Sequence, residues 1–152
     1  MAVMKKKKKV NPTPRAYSGV ISYLNLENAK AALTFYKKAF GAKLRGQAMQ
    51  MGKKIGHAEL EIGNGLIMLA DTFPQYAPEP RVGQLLFYVS DVDKAYLKAI
   101  KAGAKSLEEP TDKFYGDRMC RLLDPFGVTW MMATHVEDVS PAEMNKRMKA
   151  MK

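Results

Sequence analysis

The feature that most constrains this chain is a spacing. Gly41-Ala42-Lys43 and Gly103-Ala104-Lys105 each follow a stretch of helical periodicity, and they lie 62 residues apart. Gly65 and Gly127, each opening an apolar run after a turn, are also 62 apart. One offset shared by a helix stop and a hairpin turn implies a duplicated unit, with a period longer than solenoid repeats have. The chain is therefore expected to fold as two similar halves closed into a pseudo-symmetric pair.

Each half reads β-α-β-β-β. In the first, Gly19 to Leu24 is a short β-rich run, and Asn28 caps a helix from Ala29 to about Phe40 that Gly41 ends. Ala32, Leu33, Tyr36 and Phe40 share one face of that helix. Ala42 to Met51 predicts a strand. Ile55 to Ile62 alternates cleanly, with Ala58, Leu60 and Ile62 on one side and His57, Glu59 and Glu61 on the other. Gly63-Asn64-Gly65 is a hairpin turn into Leu66–Ala70. The proline-rich stretch between Asp71 and Gly83 is the connector. In the second half Leu85–Val89 predicts a strand, Asp91 caps a helix from Val92 to Ala102, and strands follow near 106–112, 117–123 and 128–134. The last two are joined at Asp124-Pro125-Phe126-Gly127, a proline-glycine turn.

Two terminal segments lie outside the repeat. Residues 1–15 carry Lys5, Lys6, Lys7, Lys8, Lys9 and Arg15 with no acid, and are expected to form a disordered basic arm. At the other end, Ser140-Pro141-Ala142-Glu143 is a capping box, so 141–152 predicts a helix whose Met144, Met148 and Met151 dock on the body or on a second subunit. These ends hold most of the net charge of +10, leaving residues 16–140 at +1. A nucleic-acid contact is thus expected at most weakly, through Lys5–Lys9, and not through the body. At 152 residues the chain suits one compact domain over 16–140. Its one cysteine, Cys120, excludes an internal disulfide and fits a cytoplasmic setting as an inert buried thiol. No apolar run approaches the ~20 residues that cross a bilayer, so no membrane association is expected.

The side chains that could carry chemistry are few. His57 and Glu59 project from one strand face, where an imidazole beside a carboxylate could act as acid and base or simply form a structural hydrogen bond. Arg118 could grip a carboxylate or phosphate, or pair with Asp117, Asp112 or Glu109. Tyr23, Gln84, Tyr115, Trp130 and Met132 are the other candidate ligand contacts, Trp130 and Met132 as an apolar cavity floor. His135, near Glu137 and Asp138, predicts a cap or subunit contact. No glycine-rich loop follows a strand in the way a nucleotide-like cofactor needs, and no cofactor is expected.

Taken together, the helix end Phe35-Tyr36-Lys37-Lys38-Ala39-Phe40-Gly41-Ala42, the run His57 to Gly63, Met68-Leu69-Ala70-Asp71, Gly116-Asp117-Arg118, Asp124-Pro125-Phe126-Gly127 and Ala133 to Pro141 resemble the PhnB-like branch of the vicinal oxygen chelate superfamily. That superfamily also holds glyoxalase I, bleomycin-resistance proteins and extradiol dioxygenases. The resemblance implies an α+β fold of two βαβββ modules, about 18–71 and 84–135, forming cupped mixed sheets, with a C-terminal helix and usually a homodimer. In catalytic members, it further implies, a divalent metal is held by His, Glu or Gln on the first and last strands of each module. Here those places carry Val20 and Ile21, Met68, Gln84 and Met132, and thioethers do not suit hard or borderline ions. The leading expectation is a metal-free protein that binds a small molecule in the cup. The alternatives are a metal-dependent or His57/Glu59-based lyase, isomerase or dioxygenase-like enzyme, and an interaction module whose basic arm touches nucleic acid.

Overall fold

The computed structural model describes residues 11–14, 17, 19–75 and 77–151. The expected basic arm, with Lys5–Lys9, lies outside the described residues apart from positions 11–14. The elements run β1 (Ser22–Leu26), α1 (Ala29–Phe40), β2 (Lys43–Met51), β3 (Lys54–Ile62), β4 (Gly65–Asp71), β5 (Gln84–Tyr88), α2 (Val92–Ala102), β6 (Lys105–Asp112), β7 (Asp117–Leu123), β8 (Thr129–His135) and α3 (Pro141–Ala150). They form two four-stranded mixed sheets, ordered β1-β4-β3-β2 and β5-β8-β7-β6. In each, the first strand runs parallel to the last and the other pairs are antiparallel. This is the α+β architecture of two βαβββ modules with a C-terminal helix.

The same local chemistry starts and stops the two crossover helices. Asn28 accepts from the Ala31 N–H at 3.2 Å and Asp91 from the Lys94 N–H at 3.1 Å. Gly41 and Gly103 end the helices at φ 65° and 116°, where a side chain would be strained. A second donor at each helix start is met from the neighbouring sheet: Asp71 Oδ1 accepts from the Ala29 N–H at 2.8 Å, and the Thr134 hydroxyl from the Val92 N–H at 2.9 Å.

These equivalences correct the repeat arithmetic. Asn28 and Asp91 are 63 apart, as are Asp71 and Thr134, whereas Gly41 and Gly103 are 62 apart. Gly65 and Gly127 do not correspond. Gly65 pairs with Ile62 across a two-residue turn, while Gly127 lies inside a longer loop that the Asp124 N–H closes on the Val128 carbonyl at 3.0 Å. Module two thus has a shorter helix and a longer last hairpin. β1 also begins later than expected, because pairing from Ser22↔Ile67 to Leu26↔Asp71 buries Leu24 and Leu26 and leaves Val20 exposed.

The helix-facing sides of both sheets share one core with α1 and α2. At the junction, Tyr36 and Phe40 of α1 pack on Trp130 of β8 with ring centroids 5.2 and 4.7 Å away, and Phe40 lies 5.5 Å from Phe87 of β5. Such edge-on and tilted contacts suit aromatic quadrupoles. Asp124 is the polar tie of this region. Its carboxylate accepts from Tyr36 Oη (2.7 Å), Trp130 Nε1 (2.9 Å), and the N–H groups of Phe126 (2.8 Å) and Val128 (3.0 Å).

Helix α3 does not dock on the body through its methionines, the first of the two expected alternatives. None of its residues is buried, and Met148 and Met151 remain exposed. Arg147 anchors it instead, binding Glu137 through both Nη atoms (3.0 and 2.7 Å), Glu143 (2.9 Å) and the Phe114 carbonyl (3.0 Å). Among the described residues, no helix is long and apolar enough to cross a membrane.

Candidate functional site

Strand alternation decides which side chains reach the open cup, the sheet face turned away from the helices. In β3, Ala58, Leu60 and Ile62 are buried in the core, so His57, Glu59 and Glu61 point the other way. Register then sets a row across sheet one: Tyr23 of β1 beside Met68 of β4, Met68 beside Glu59 of β3, and Glu59 beside Arg45 of β2. Cross-strand partners lie on one face.

Around Glu59 these side chains form a connected polar group. Glu59 Oε1 accepts from the Tyr17 hydroxyl and lies 3.4 Å from His57 Nε2, while Oε2 is 3.8 Å from Arg45 Nε. Tyr23 Oη is 3.1 Å from His57 Nδ1. One tautomer satisfies both imidazole contacts, with Nε2–H donating to Glu59 and Nδ1 accepting from Tyr23. The Arg45 guanidinium also covers the Tyr17 ring at 5.5 Å. The Tyr17 hydrogen bond, with help from His57 and Arg45, holds the Glu59 carboxyl below the ordinary value of 4.5. It therefore stays a carboxylate at neutral pH, which suits an anchor better than a general base tuned to that pH. A cavity of about 440 Å³ opens next to this group, lined by Ile21, Arg45, Glu61, Asn64 and Leu66 among others.

The cup face of sheet two has its own row: Leu86 beside Met131, Met131 beside Arg121, and Arg121 beside Glu108. Gln84 lies at its edge, 3.4 Å from Arg121 Nη2. At the far end Tyr115 reaches the Met119 sulfur at 3.7 Å. There Asp117, buried in the sheet, accepts from Tyr88 Oη at 2.7 Å and contacts His135 Nδ1 at 2.7 Å, while His135 Nε2 meets Asp138 at 2.8 Å.

The structure brings Tyr23, His57 and Glu59 together and leaves Gln84 and Tyr115 on the other sheet. Three expected ligand contacts point elsewhere. Trp130 and Met132 alternate with Met131 and Ala133 along β8 and face the core, at 2% and 1% exposure, so neither floors the cup. Met131, not Met132, is the cup-facing thioether. Arg118 leans onto α2, where Nε and Nη2 bind both Asp93 oxygens at 2.8 and 2.9 Å and Nη1 binds Asp112 at 3.2 Å. Its fork is filled by the protein itself. Cys120 is buried, and burial pushes its thiol up from the ordinary 9.0. Sequence reasoning missed Tyr17, Arg45 and Tyr88, since Arg45 meets Glu59 only through cross-strand register and Tyr17 and Tyr88 reach Glu59 and Asp117 only through contacts distant in sequence.

The model of the Glyoxalase/Bleomycin resistance protein/Dioxygenase superfamily matches residues 20–132. The chain belongs to this superfamily. Protein Mb0911c of Mycobacterium bovis is 32% identical over 135 residues, covering 83% of this chain and 89% of that protein. Among solved structures, TioX from Micromonospora sp. ML1 is similar with a TM-score of 0.66 and 25% identity, over 81% of this chain and all of that one. The Arabidopsis thaliana gene product At5g48480 follows with 0.59 and 27%, over 77% and 98%.

Membership raises the question of a divalent metal, and the donors do not fit one. The cup-facing residues of the four strands that would supply ligands include Tyr23, Met68, Leu86 and Met131; of the nitrogen and oxygen donors beside them, Gln84 contacts Arg121, and His135 is held between Asp117 and Asp138. Thioether sulfur and leucine offer nothing to a hard or borderline ion. Among the described residues, no group of three or more His, Cys, Asp or Glu is placed to hold a metal ion.

Proposed function

We propose that this superfamily member is a metal-free small-molecule binding protein whose ligand lies in the cup of module one. One observation carries the reading: the rows that cross the cup hold Tyr23, Met68, Glu59 and Arg45 on one sheet and Leu86, Met131, Arg121 and Glu108 on the other, a binding surface without a metal's donor set. The adjoining 440 Å³ cavity is of a size that takes small ligands. An enzymatic role for His57 and Glu59 is less well supported, because both Glu59 oxygens are engaged and its carboxyl is held low.

The motifs from His57 to Gly63 and from Asp124 to Gly127 support the PhnB-like branch within the superfamily. A homodimer is part of the proposal. Exposed apolar side chains on the cup faces, among them Tyr23, Met49, Leu86 and Tyr88, and on α3, Met148 and Met151, support it. Light scattering after size exclusion reads the mass directly.

Elemental analysis of dialysed protein tests the central claim, with far less than one equivalent of zinc, nickel, manganese or iron per chain expected. Stoichiometric retention of any of them overturns it. A thermal-shift screen of small molecules then locates the ligand class, and hits should lose their shift in Arg45→Ala and Glu59→Gln.

A further inference from the structure

We propose that the seam between the two modules is a binding slot, adjoining the cup, for a flat, uncharged aromatic molecule. A second cavity, about 360 Å³, opens there. Ser22, Ile62 and Ile67 of module one line one side, and Leu85, Phe87 and Trp130 of module two the other. Among the described residues, no charged side chain lines it. β1 and β5, which contribute Ser22 and Leu85 to its walls, are edge strands of their sheets, so the slot lies between two sheet edges, with Leu66, Leu86 and Tyr88 bordering it from the cup side.

The chemistry of the walls selects the occupant. An ionised ligand would exchange water for an apolar lining without a counter-charge, which disfavours it. An aromatic ring meets a different prospect. The inner wall is the network of Trp130 with Phe40 and Phe87, centroids 4.7 and 6.0 Å apart, and a further ring at that spacing extends it. The polar atoms of the aromatic walls are already committed. Trp130 Nε1 donates to Asp124 and Tyr88 Oη to Asp117, so both rings offer mainly carbon to the slot. Ser22 and Asn64 at the rim leave room for a neutral polar substituent.

The slot adjoins the cup and shares Asn64, Gly65 and Leu66 with the first cavity, but its inner walls are different side chains. Ile62, Ile67, Leu85, Phe87 and Trp130 face the helix side of their sheets, whereas His57, Glu59 and Arg45 face away from it. A ligand in the slot touches both modules, and so should raise the stability of their junction by mass action.

The chain contains one tryptophan, and it borders the slot, so its emission reports on this site directly. N-phenyl-1-naphthylamine, neutral and aromatic, is titrated into the whole protein while Trp130 emission and sensitised probe emission are followed. Saturable quenching with matching energy transfer is expected. The anionic relative 1-anilinonaphthalene-8-sulfonate should bind at least about tenfold more weakly. Ser22→Phe fills the rim and Ser22→Asp charges it, and each should weaken the neutral probe by about tenfold or more. Both variants sit on a half-buried edge-strand position, and their melts are read first so that whichever unfolds cooperatively carries the test. Glu59→Gln should leave the quenching unchanged, which separates failure of the slot from failure of the cup. The inference is overturned by absent saturable quenching, by equal affinity for the sulfonate, or by undiminished binding in a folded Ser22 variant.

Discussion

Replacing Tyr36 by phenylalanine removes a single hydroxyl from the junction of the two modules. That hydroxyl donates to Asp124 Oδ2 at 2.7 Å and joins α1 of the first module to the last hairpin of the second. Burial, and then the Asp124 charge, push it far above the ordinary tyrosine value of 10.0, so it remains a donor at every pH the fold survives. A hydrogen bond to a charged acceptor contributes about 1.5–3 kcal/mol. Asp124 keeps three other donors after the change, so the expected cost is the bond itself, about 2 kcal/mol. For a chain of this size each kcal/mol moves Tm by roughly 2–4 °C, so Tyr36→Phe should melt about 4–8 °C lower.

Asp124→Ala is the larger lesion, because it strands the Tyr36 and Trp130 side-chain donors and two backbone N–H groups. About 4 kcal/mol or more is expected. Urea unfolding followed by Trp130 emission measures both variants and shows whether the slope stays constant, as a pure stability change requires. The double variant is decisive. Once Asp124 is alanine, the Tyr36 hydroxyl has lost its acceptor, and removing it should cost almost nothing. If Tyr36→Phe lies within about 0.5 kcal/mol of the parent, or costs the same with and without Asp124, the carboxylate does not tie the modules together.

Other outcomes follow from local geometry. Gly116→Ala should destabilise by about 2 kcal/mol or more and expose α3 to trypsin at Lys146 and Arg147, since its Cβ would sit 2.0 Å from the Glu137 carbonyl oxygen at φ 99°; a parent-like melt and digest refute this. Gly56→Ala should cost less than about 2 kcal/mol, because the atoms in its way, Met49 Cε and Met51 Sδ and Cγ, belong to two exposed, flexible side chains that can turn aside. His135 is raised above 6.5, first by Asp138 and then by Asp117, so its charged contacts add stability below pH 6.5 and lose it as pH rises through the folded value. The Tm gap between parent and His135→Gln should accordingly narrow towards alkaline pH, and a gap constant across the series contradicts it. Arg118→Ala should lower Tm yet leave ligand affinity untouched, as its guanidinium holds α2; weaker binding in a folded variant would return Arg118 to the site.

Local signals were legible and facing was only partly so. Asn28, Gly41, Asp91, Gly103 and Ser140 marked helix ends correctly because capping is settled within a few residues of sequence. β3 announced its faces through strict alternation of Ala58, Leu60 and Ile62 with His57, Glu59 and Glu61. β8 could not. Trp130, Met131, Met132 and Ala133 are all apolar, so periodicity does not tell core from cup, and only pairing with Leu85, Leu86, Arg121 and Cys120 settles it. The matching glycine spacing misled for a related reason: the residue lost from the helix lowers the offset from 63 to 62 and the residue gained in the hairpin restores it to 63, so Gly65 corresponds to Val128 and not to Gly127, and a one-residue slip exchanges the faces of a strand.

With faces assigned, the duplication is a repeat of backbone and not of chemistry. Met68 and Met131 occupy the same place in the two cup rows, with Tyr23 and Leu86 on one side of them. On the other side the charges are exchanged. Module one sets Glu59 in the third strand against Arg45 in the second, and module two sets Arg121 against Glu108. Opposite charges directly across strands stabilise a sheet in either order, so folding alone does not choose between them. A ligand does, because the inner position of each row presents a carboxylate in one cup and a guanidinium in the other. On the proposal that the cup binds a ligand, the two cup faces would therefore differ in polarity at equivalent positions, and a charged ligand would read that difference.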